Sequence, residues 1–285
     1  MQVLVTGASG FLGRHLVAAL RGSADVRPVE GDVRDPATFE PLPRADLVYH
    51  LAAVSSVPDS LRDPARTWAV NAGGTMNLLE WARGRGVGRL VLVSSAHVYG
   101  PAEYTPIDER HPTRPVSPYG ASKLAAEAMA RAYGASYGME VVVVRPFNVY
   151  GPGQARGFLV PDILEQIAEG RQLVMGDPRP VRDFTYVDDA IELLRLAGTV
   201  PGVGGETFNL GSGQGHPVET IVRTAIEVTG TSLRPRYDEA RFRAAEVKEL
   251  VVDNAHARKR LGWAPGVGLR QGVERAWRAV RARGA

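Results

Sequence analysis

Short apolar runs recur through the first half of the chain, separated by longer segments whose apolar positions return every three or four residues. Val3 to Thr6, Leu47 to Leu51, Leu90 to Ser94 and Val141 to Arg145 read as strands, and the stretches near 11–21, 63–84 and 118–136 read as helices. Continuous apolar runs suit strands covered on both faces, so the alternation predicts an α/β protein with a parallel sheet between layers of helices. After Pro146 the pattern changes: Gly151-Pro152-Gly153-Gln154 marks a break, and short strands around 173–175 and 206–210 follow among short helices and many Gly and Pro turns. The expected organisation is one domain over residues 1–150 and a smaller mixed α/β lobe over 151–285, exchanging some strands or helices and enclosing a cleft.

The first strand ends in Thr6-Gly7-Ala8-Ser9-Gly10-Phe11-Leu12-Gly13, with an amphipathic helix after it. Glycines let a backbone approach a pyrophosphate, and the helix start presents free N–H groups to it. The spacing is Gly-x-x-Gly-x-x-Gly, and its place between strand and helix predicts a dinucleotide site on a Rossmann-type doubly wound sheet. Such sites hold the ribose hydroxyls with an acid roughly 20 residues further on. Glu30 and Asp32 both fall at that distance.

A second pattern is Pro118-Tyr119-Gly120-Ala121-Ser122-Lys123. Residues four apart share a helical face, and Ser117 and Pro118 suit the N-cap and first position of a helix. A nearby ammonium stabilises a phenolate, which would bring Tyr119 down from an ordinary pKa near ~10 and make it an acid/base group. Alone, the pair fits a packed tyrosine and a solvated lysine better, because so short a pattern recurs by chance. The chain, however, has 34 Lys+Arg of which only Lys123, Lys248 and Lys259 are lysines, so an ammonium at this position stands out.

Composition mostly excludes. The 285 residues, 44% hydrophobic and 23% charged, suit a globular fold with its own core. Without cysteine there are no disulfides or thiolate metal sites, and the six histidines lack ligand-like spacing, so no metal is expected. A net charge of +3 with dispersed arginines fits an anionic small molecule better than nucleic acid. No apolar run approaches the ~18 residues that cross a bilayer, and the glycine motif begins too early for a leader; a cytoplasmic protein off the membrane is expected.

Together with the glycine turn and the Tyr119/Lys123 pair, the chain carries Gly31-Asp32-Val33-Arg34-Asp35, His50-Leu51-Ala52-Ala53, Asn71 with Gly74-Thr75, Ser94-Ser95-Ala96-His97-Val98-Tyr99-Gly100, Arg145-Pro146-Phe147-Asn148, Arg182-Asp183-Phe184-Thr185-Tyr186-Val187-Asp188-Asp189, Asn209-Leu210-Gly211-Ser212-Gly213 and Leu261-Gly262-Trp263. In these it resembles the extended short-chain dehydrogenase/reductases, specifically the NAD-dependent epimerase/dehydratase family acting on nucleotide-diphosphate sugars. The resemblance implies catalysis by Ser95, Tyr119 and Lys123. It implies NAD, with NADP as the other option, held by Gly7, Ser9, Gly10, Phe11, Leu12 and Gly13, by Asp32 and Val33 at the adenine, and by Leu51, Ala52, Ala53, Asn71, Pro146, Tyr119 and Lys123. Ser95, Ala96, His97 and Tyr119 match positions around the sugar; Asn148, Arg182 and Arg243 match diphosphate contacts, although Ala244-Ala245 replaces the family's Pro-Gly. A homodimer through the helices near 63–84 and 118–136 is also implied.

Two departures refine the expectation. Ala96-His97 stands where the family's dehydratases carry an acidic pair, which argues against loss of water. Only 18 residues separate Gly13 from Asp32, so the second strand is expected to be shortened or merged, with Arg27 or Arg34 available to a 2′-phosphate. The leading expectation is 4-epimerisation of a nucleotide sugar through a keto intermediate. The alternative is NAD(P)H-dependent reduction of a nucleotide 4-keto-6-deoxy sugar, which Gly157-Phe158-Leu159-Val160-Pro161 and Gly176-Asp177-Pro178 resemble; a non-catalytic nucleotide-binding regulator is the third. Ser94 is expected to be structural, Asp188-Asp189 to cap a helix, and Trp68, Trp81, Trp263 and Trp277 to pack in the core or between lobes.

Overall fold

The structure is a computed structural model that describes residues 1–242 and 247–283. Six parallel strands form the main sheet in the order β2-β1-β3-β4-β5-β9: β1 Gln2–Thr6, β2 Asp25–Val29, β3 Leu47–His50, β4 Arg89–Val93, β5 Glu140–Pro146 and, from much later in the chain, β9 Thr207–Leu210. Successive side chains point to opposite faces. Val3, Val5, Val142 and Val144 accordingly enter one core, with α1 (Phe11–Leu20) and α7 (Val187–Thr199) over it. Leu4, Val141 and Val143 enter the other, with α4 (Gly74–Arg85) and α5 (Pro118–Tyr137).

The helix expected over 63–84 is three pieces. Asp63 caps α3 (Pro64–Trp68), a π-helical turn covers Ala69–Gly73, and α4 follows; α2 (Val57–Arg62) precedes them under its own Ser56 cap. Single π turns inside helices frequently mark functional positions, and this one carries Asn71.

The second strand is neither shortened away nor merged. β2 pairs with β1 over five residues, from Gln2 opposite Asp25 to Thr6 opposite Val29. It escapes the apolar pattern because it is an edge strand with mostly exposed positions, where Pro28 is tolerated. The short part is the link from α1, which ends at Leu20.

Beyond β5, β6 (Asn148–Tyr150), β8 (Val181–Tyr186), β10 (Gly215–Pro217) and β12 (Glu249–Leu250) make a small mixed sheet, and β7 (Val174–Met175) pairs with β11 (Arg236–Tyr237). Helices α6 (Leu159–Ala168), α8 (Val218–Thr229) and α10 (Leu269–Arg283) pack together beside them, and α9 (Ala255–Leu261) lies against β9. Among the described residues no helix is long and apolar enough to cross a membrane.

Candidate active site

In an open parallel sheet, ligands bind outside the carboxyl ends of the strands. Both sequence patterns fall there, one after β1 and one around the end of β4. At the first, Gly10 is the extended N-cap residue of α1, and a Cβ on Gly13 would stand 2.1 Å from the Gly7 carbonyl oxygen. Only glycine lets the helix start this close to the turn. Beside the turn runs a groove of about 580 Å³, lined by Gly7, Ala8, Ser9, residues 28–34, Ala52, Arg66 and Val70. It brings together Gly7, Ser9, Asp32, Val33 and Ala52 of the expected cofactor residues, while the side chains of Phe11, Leu12 and Leu51 pack on the large core.

Asp32 is held by its neighbour. Its carboxylate accepts from the Arg34 backbone N–H at 2.9 Å and from Arg34 Nε at 2.9 Å, and these bonds push its pKa down to about 2. Arg34 lines the groove, whereas Arg27 lies exposed on β2 outside it; Arg66, which carried no sequence signal, stands in its place.

At the second centre, β4 runs into Ser94-Ser95, and Ser95 caps a 3₁₀ turn over Ala96–Val98, its Oγ accepting from the His97 N–H at 3.2 Å. Ser117 caps α5 with Pro118 in the first turn, as its sequence predicts. A Cβ on Gly120 would lie 2.5 Å from the His97 carbonyl oxygen, so glycine here is what lets the start of α5 close onto the 3₁₀ turn. Tyr119 and Lys123 are thereby buried, 6% and 5% exposed. The Ser95 side chain lies near enough to the Tyr119 phenol to bear on its ionisation, and Lys123 Nζ donates to the Val93 carbonyl at 2.7 Å.

The electrostatics differ from the expectation. Burial raises the Tyr119 pKa, with the nearby Ser95 hydroxyl opposing it; burial also brings Lys123 down to about 8, opposed by the carboxylate of Glu127. Desolvation outweighs the Ser95 hydroxyl at Tyr119 and the Glu127 charge at Lys123. His97 is exposed, with its ring edge-on to Tyr119 at 5.6 Å between centroids. Ala96 is buried in a small cluster with Val98, Tyr99 and Ile107.

The remaining candidates are spread more widely. Asn71 spends its amide on the Val54 backbone and on Ser122 Oγ (2.9 Å), inside the protein. Asn148 Nδ2 donates to the Asp183 carbonyl at 3.0 Å, and Arg182 is half-buried in the next strand. Asp183 is fully buried, and its carboxylate accepts from Ser212 N and Oγ and Gly213 N. Pro146 ends β5 opposite Leu210, and Ala53 is half-buried after β3. Arg243, with Ala244-Ala245, lies outside the described residues.

A model of the NAD dependent epimerase/dehydratase family matches residues 3–211. The chain belongs to this family. Among similar proteins, a UDP-glucose 4-epimerase of Streptomyces lividans is 37% identical over 97% of this chain and 95% of its own. A GDP-6-deoxy-D-mannose reductase of Pseudomonas aeruginosa is 35% identical over 95% and 94%. A Thermotoga maritima UDP-glucose 4-epimerase solved with UDP-glucose superposes with a TM-score of 0.94 over the whole of both chains at 31% identity. The structure of RMD from Pseudomonas aeruginosa complexed with NADPH gives 0.90 over 99% of both at 33%.

In this family member, several supporting residues escape motif reading. Glu127, 1% exposed, accepts Arg145 Nε at 2.9 Å, Arg145 Nη2 at 2.6 Å and Ser94 Oγ at 2.5 Å, confirming a structural Ser94. Arg145 also donates to Tyr99 Oη at 2.9 Å, and Tyr99 donates to Asn209 Oδ1 at 2.6 Å. The signal available was charge at i and i+4 on the Lys123 helix together with an arginine in a valine strand. Two expectations are corrected. Asp188 and Asp189 lie in the first turn of α7, whose cap is Tyr186, and Asp189 accepts from Gly266 N and Val267 N. Trp68 is 55% exposed rather than packed, whereas Trp263 is buried and donates to the Asp189 carbonyl at 2.9 Å.

Proposed function

We propose that the protein interconverts nucleotide-diphosphate sugars epimeric at C4, using NAD(P). The observation that carries this reading is the buried cluster of Ser95, Tyr119 and Lys123 at the end of β4, on the same sheet edge as the glycine turn. The groove suits the cofactor chemically: close-approach glycines and free N–H groups for a pyrophosphate, the carboxylates of Asp32 and Glu30 for adenosine hydroxyl and amino groups, and the guanidinium groups of Arg34 and Arg66 for added negative charge. When bound, the nicotinamide supplies hydride acceptance and return.

The protein's part is orientation and proton handling. Ser95 Oγ donates a hydrogen bond to the reacting sugar oxygen and keeps it within reach of Tyr119 Oη. Tyr119 gives its proton to a keto oxygen or takes one from a hydroxyl. Burial keeps the phenol protonated, the form required by the reducing direction; the Ser95 side chain favours the phenolate required by the oxidising direction. Ala96 brings no acid or base to the sugar, which supports redox chemistry without loss of water. Asn148 and Arg182 are assigned to the diphosphate, where a guanidinium fork suits phosphate oxygens.

A second reading, reduction of a 4-keto-6-deoxy sugar, is favoured by the 35% identity to a GDP-6-deoxy-D-mannose reductase and by the residues 157–161 that resemble such reductases. Incubation with a panel of nucleotide sugars separates the two. Epimer formation without net change in NAD(P)H supports the epimerase; consumption of NAD(P)H in proportion to a 4-keto sugar supports the reductase. Turnover of neither class would overturn both.

The protein is further assigned as a homodimer. Leu61, Trp68, Met76 and Tyr137 are 40–64% exposed along α2, α3, α4 and α5. Exposed apolar groups of this size on these helices are what a second copy would cover.

A further inference from the structure

Within the cofactor-binding core, one imidazole joins both halves of the proposed site. His50 ends β3, opposite Thr6 in β1, and is 2% exposed. Thr6, Asn71, Thr75 and Ser122, through which it connects, are each at most 1% exposed, so no solvent compensates an unmade hydrogen bond.

The hydrogens along this line can be assigned by elimination, because each hydroxyl has one to give. Ser122 Oγ donates to the Tyr119 carbonyl at 2.8 Å, and Asn71 Nδ2 donates to Ser122 Oγ at 2.9 Å. Thr75 Oγ1 donates to the Asn71 carbonyl at 2.6 Å, so at its 3.0 Å contact with His50 Nε2 it can only accept. Nε2 therefore carries a hydrogen. On the other side, Thr6 Oγ1 accepts from Leu51 N and Ala52 N, both at 3.2 Å, and gives its own hydrogen to His50 Nδ1 at 2.7 Å. Nδ1 therefore carries none. A second ring proton would face the hydroxyl hydrogen of Thr6, beside the charge of Lys123.

We propose that His50, as the neutral Nε2–H tautomer, is a positioning residue that ties the Leu51-Ala52 backbone beside the glycine turn to Asn71 and the start of the Tyr119 helix. It rests on the reading of the groove and of Tyr119 given above. The line runs from Ala52, which lines the groove next to Gly7, to the main chain of Tyr119, and so fixes the register of the cofactor-holding half against the proton-transferring half. An imidazole suits the position because it is rigid and offers an acceptor and a donor on opposite sides.

The test has two arms. Nitrogen-15 spectra of histidine-labelled, cofactor-free protein at neutral pH should show His50 with hydrogen on Nε2 alone; a ring protonated at Nδ1 or at both nitrogens overturns the proposal whatever the variants do. In the second arm, His50→Gln keeps a donor toward Thr75 but offers Thr6 no acceptor, and His50→Asn does the reverse. Losing one buried hydrogen bond is worth roughly tenfold. The glutamine variant should lose mainly NAD(P) affinity and the asparagine variant mainly kcat at saturating cofactor. Equal losses of both quantities in both variants, or changes below about twofold in folded protein, would mean that His50 merely packs. Failure of the functional reading itself would appear separately, as undiminished turnover by Tyr119→Phe, with the tautomer unaffected.

Discussion

Replacing Glu127 by glutamine keeps its volume and removes its charge. The carboxylate is 1% exposed and meets Arg145 through two N–H donors at 2.6 and 2.9 Å, with Ser94 Oγ and Arg131 Nη2 completing its shell. Arg145 is itself 3% exposed, so the variant strands a guanidinium whose remaining contacts are the hydroxyl and ring face of Tyr99. Breaking one side of such a pair costs about 3–5 kcal/mol, a large part of the ~5–15 kcal/mol that holds a domain folded. With an unfolding entropy of about 2.1 cal/mol/K per residue over 285 residues, that cost lowers Tm by roughly 5–8 °C. Scanning calorimetry measures it. The double variant Glu127→Gln/Arg145→Met removes the stranded charge and should recover most of the loss. A Tm within about 2 °C of the parent, or a double variant no better than the single one, would refute the reasoning. The same change frees Ser94, which lies between Val93, whose carbonyl holds Lys123, and Ser95, so kcat should fall with stability.

Three further outcomes follow from the same geometry. Gly13→Ala places a methyl group 2.1 Å from the Gly7 carbonyl oxygen, and NADH or NADPH titrated by fluorescence should bind at least roughly tenfold more weakly; unchanged affinity would contradict the placement of the cofactor. Burial brings His50 down to about 3, while in the unfolded chain it titrates near ~6.5. The unfolded chain therefore binds a proton that the fold excludes, and stability falls as pH drops through that interval, by about 4–5 kcal/mol in all from this group. Urea unfolding across pH 7 to 4 should show a shallower fall for His50→Gln than for the parent, and parallel curves would refute the assignment. Trp68→Glu puts a charge on the exposed α3 face and should convert a dimer to monomer in light scattering; a parent that is already monomeric would remove the interface from the account.

Much of the frame is legible in the sequence, for physical reasons. The buried central strands announce themselves as unbroken apolar runs, and the cap of α5 stands at Ser117, whose hydroxyl makes it one. The edge strand β2 does not, because its exposed positions and Pro28 erase the apolar signal. The helix over 63–84 reads as one stretch although Gly73-Gly74 stand inside it; the π turn at Asn71 answers to contacts with Val54 and Ser122 that are remote in sequence. Tyr119 and Lys123 show themselves by spacing, but the sign of the tyrosine's perturbation does not, since it depends on burial and the chain order displays only charge. His50 and Glu127 are single letters within longer motifs, and their connections emerge only once β3, β4 and α5 are packed together.

The most direct test of the account is Tyr119→Phe, which removes one oxygen from a 6% exposed ring and leaves the helix cap and the glycine turn in place. Measured on nucleotide sugars with cofactor binding followed in parallel, the variant should bind NAD(P) within a few-fold of the parent and lose turnover by about two to four orders of magnitude, the scale of a positioned acid/base. Turnover close to that of the parent would contradict proton transfer by Tyr119 and with it the proposed chemistry.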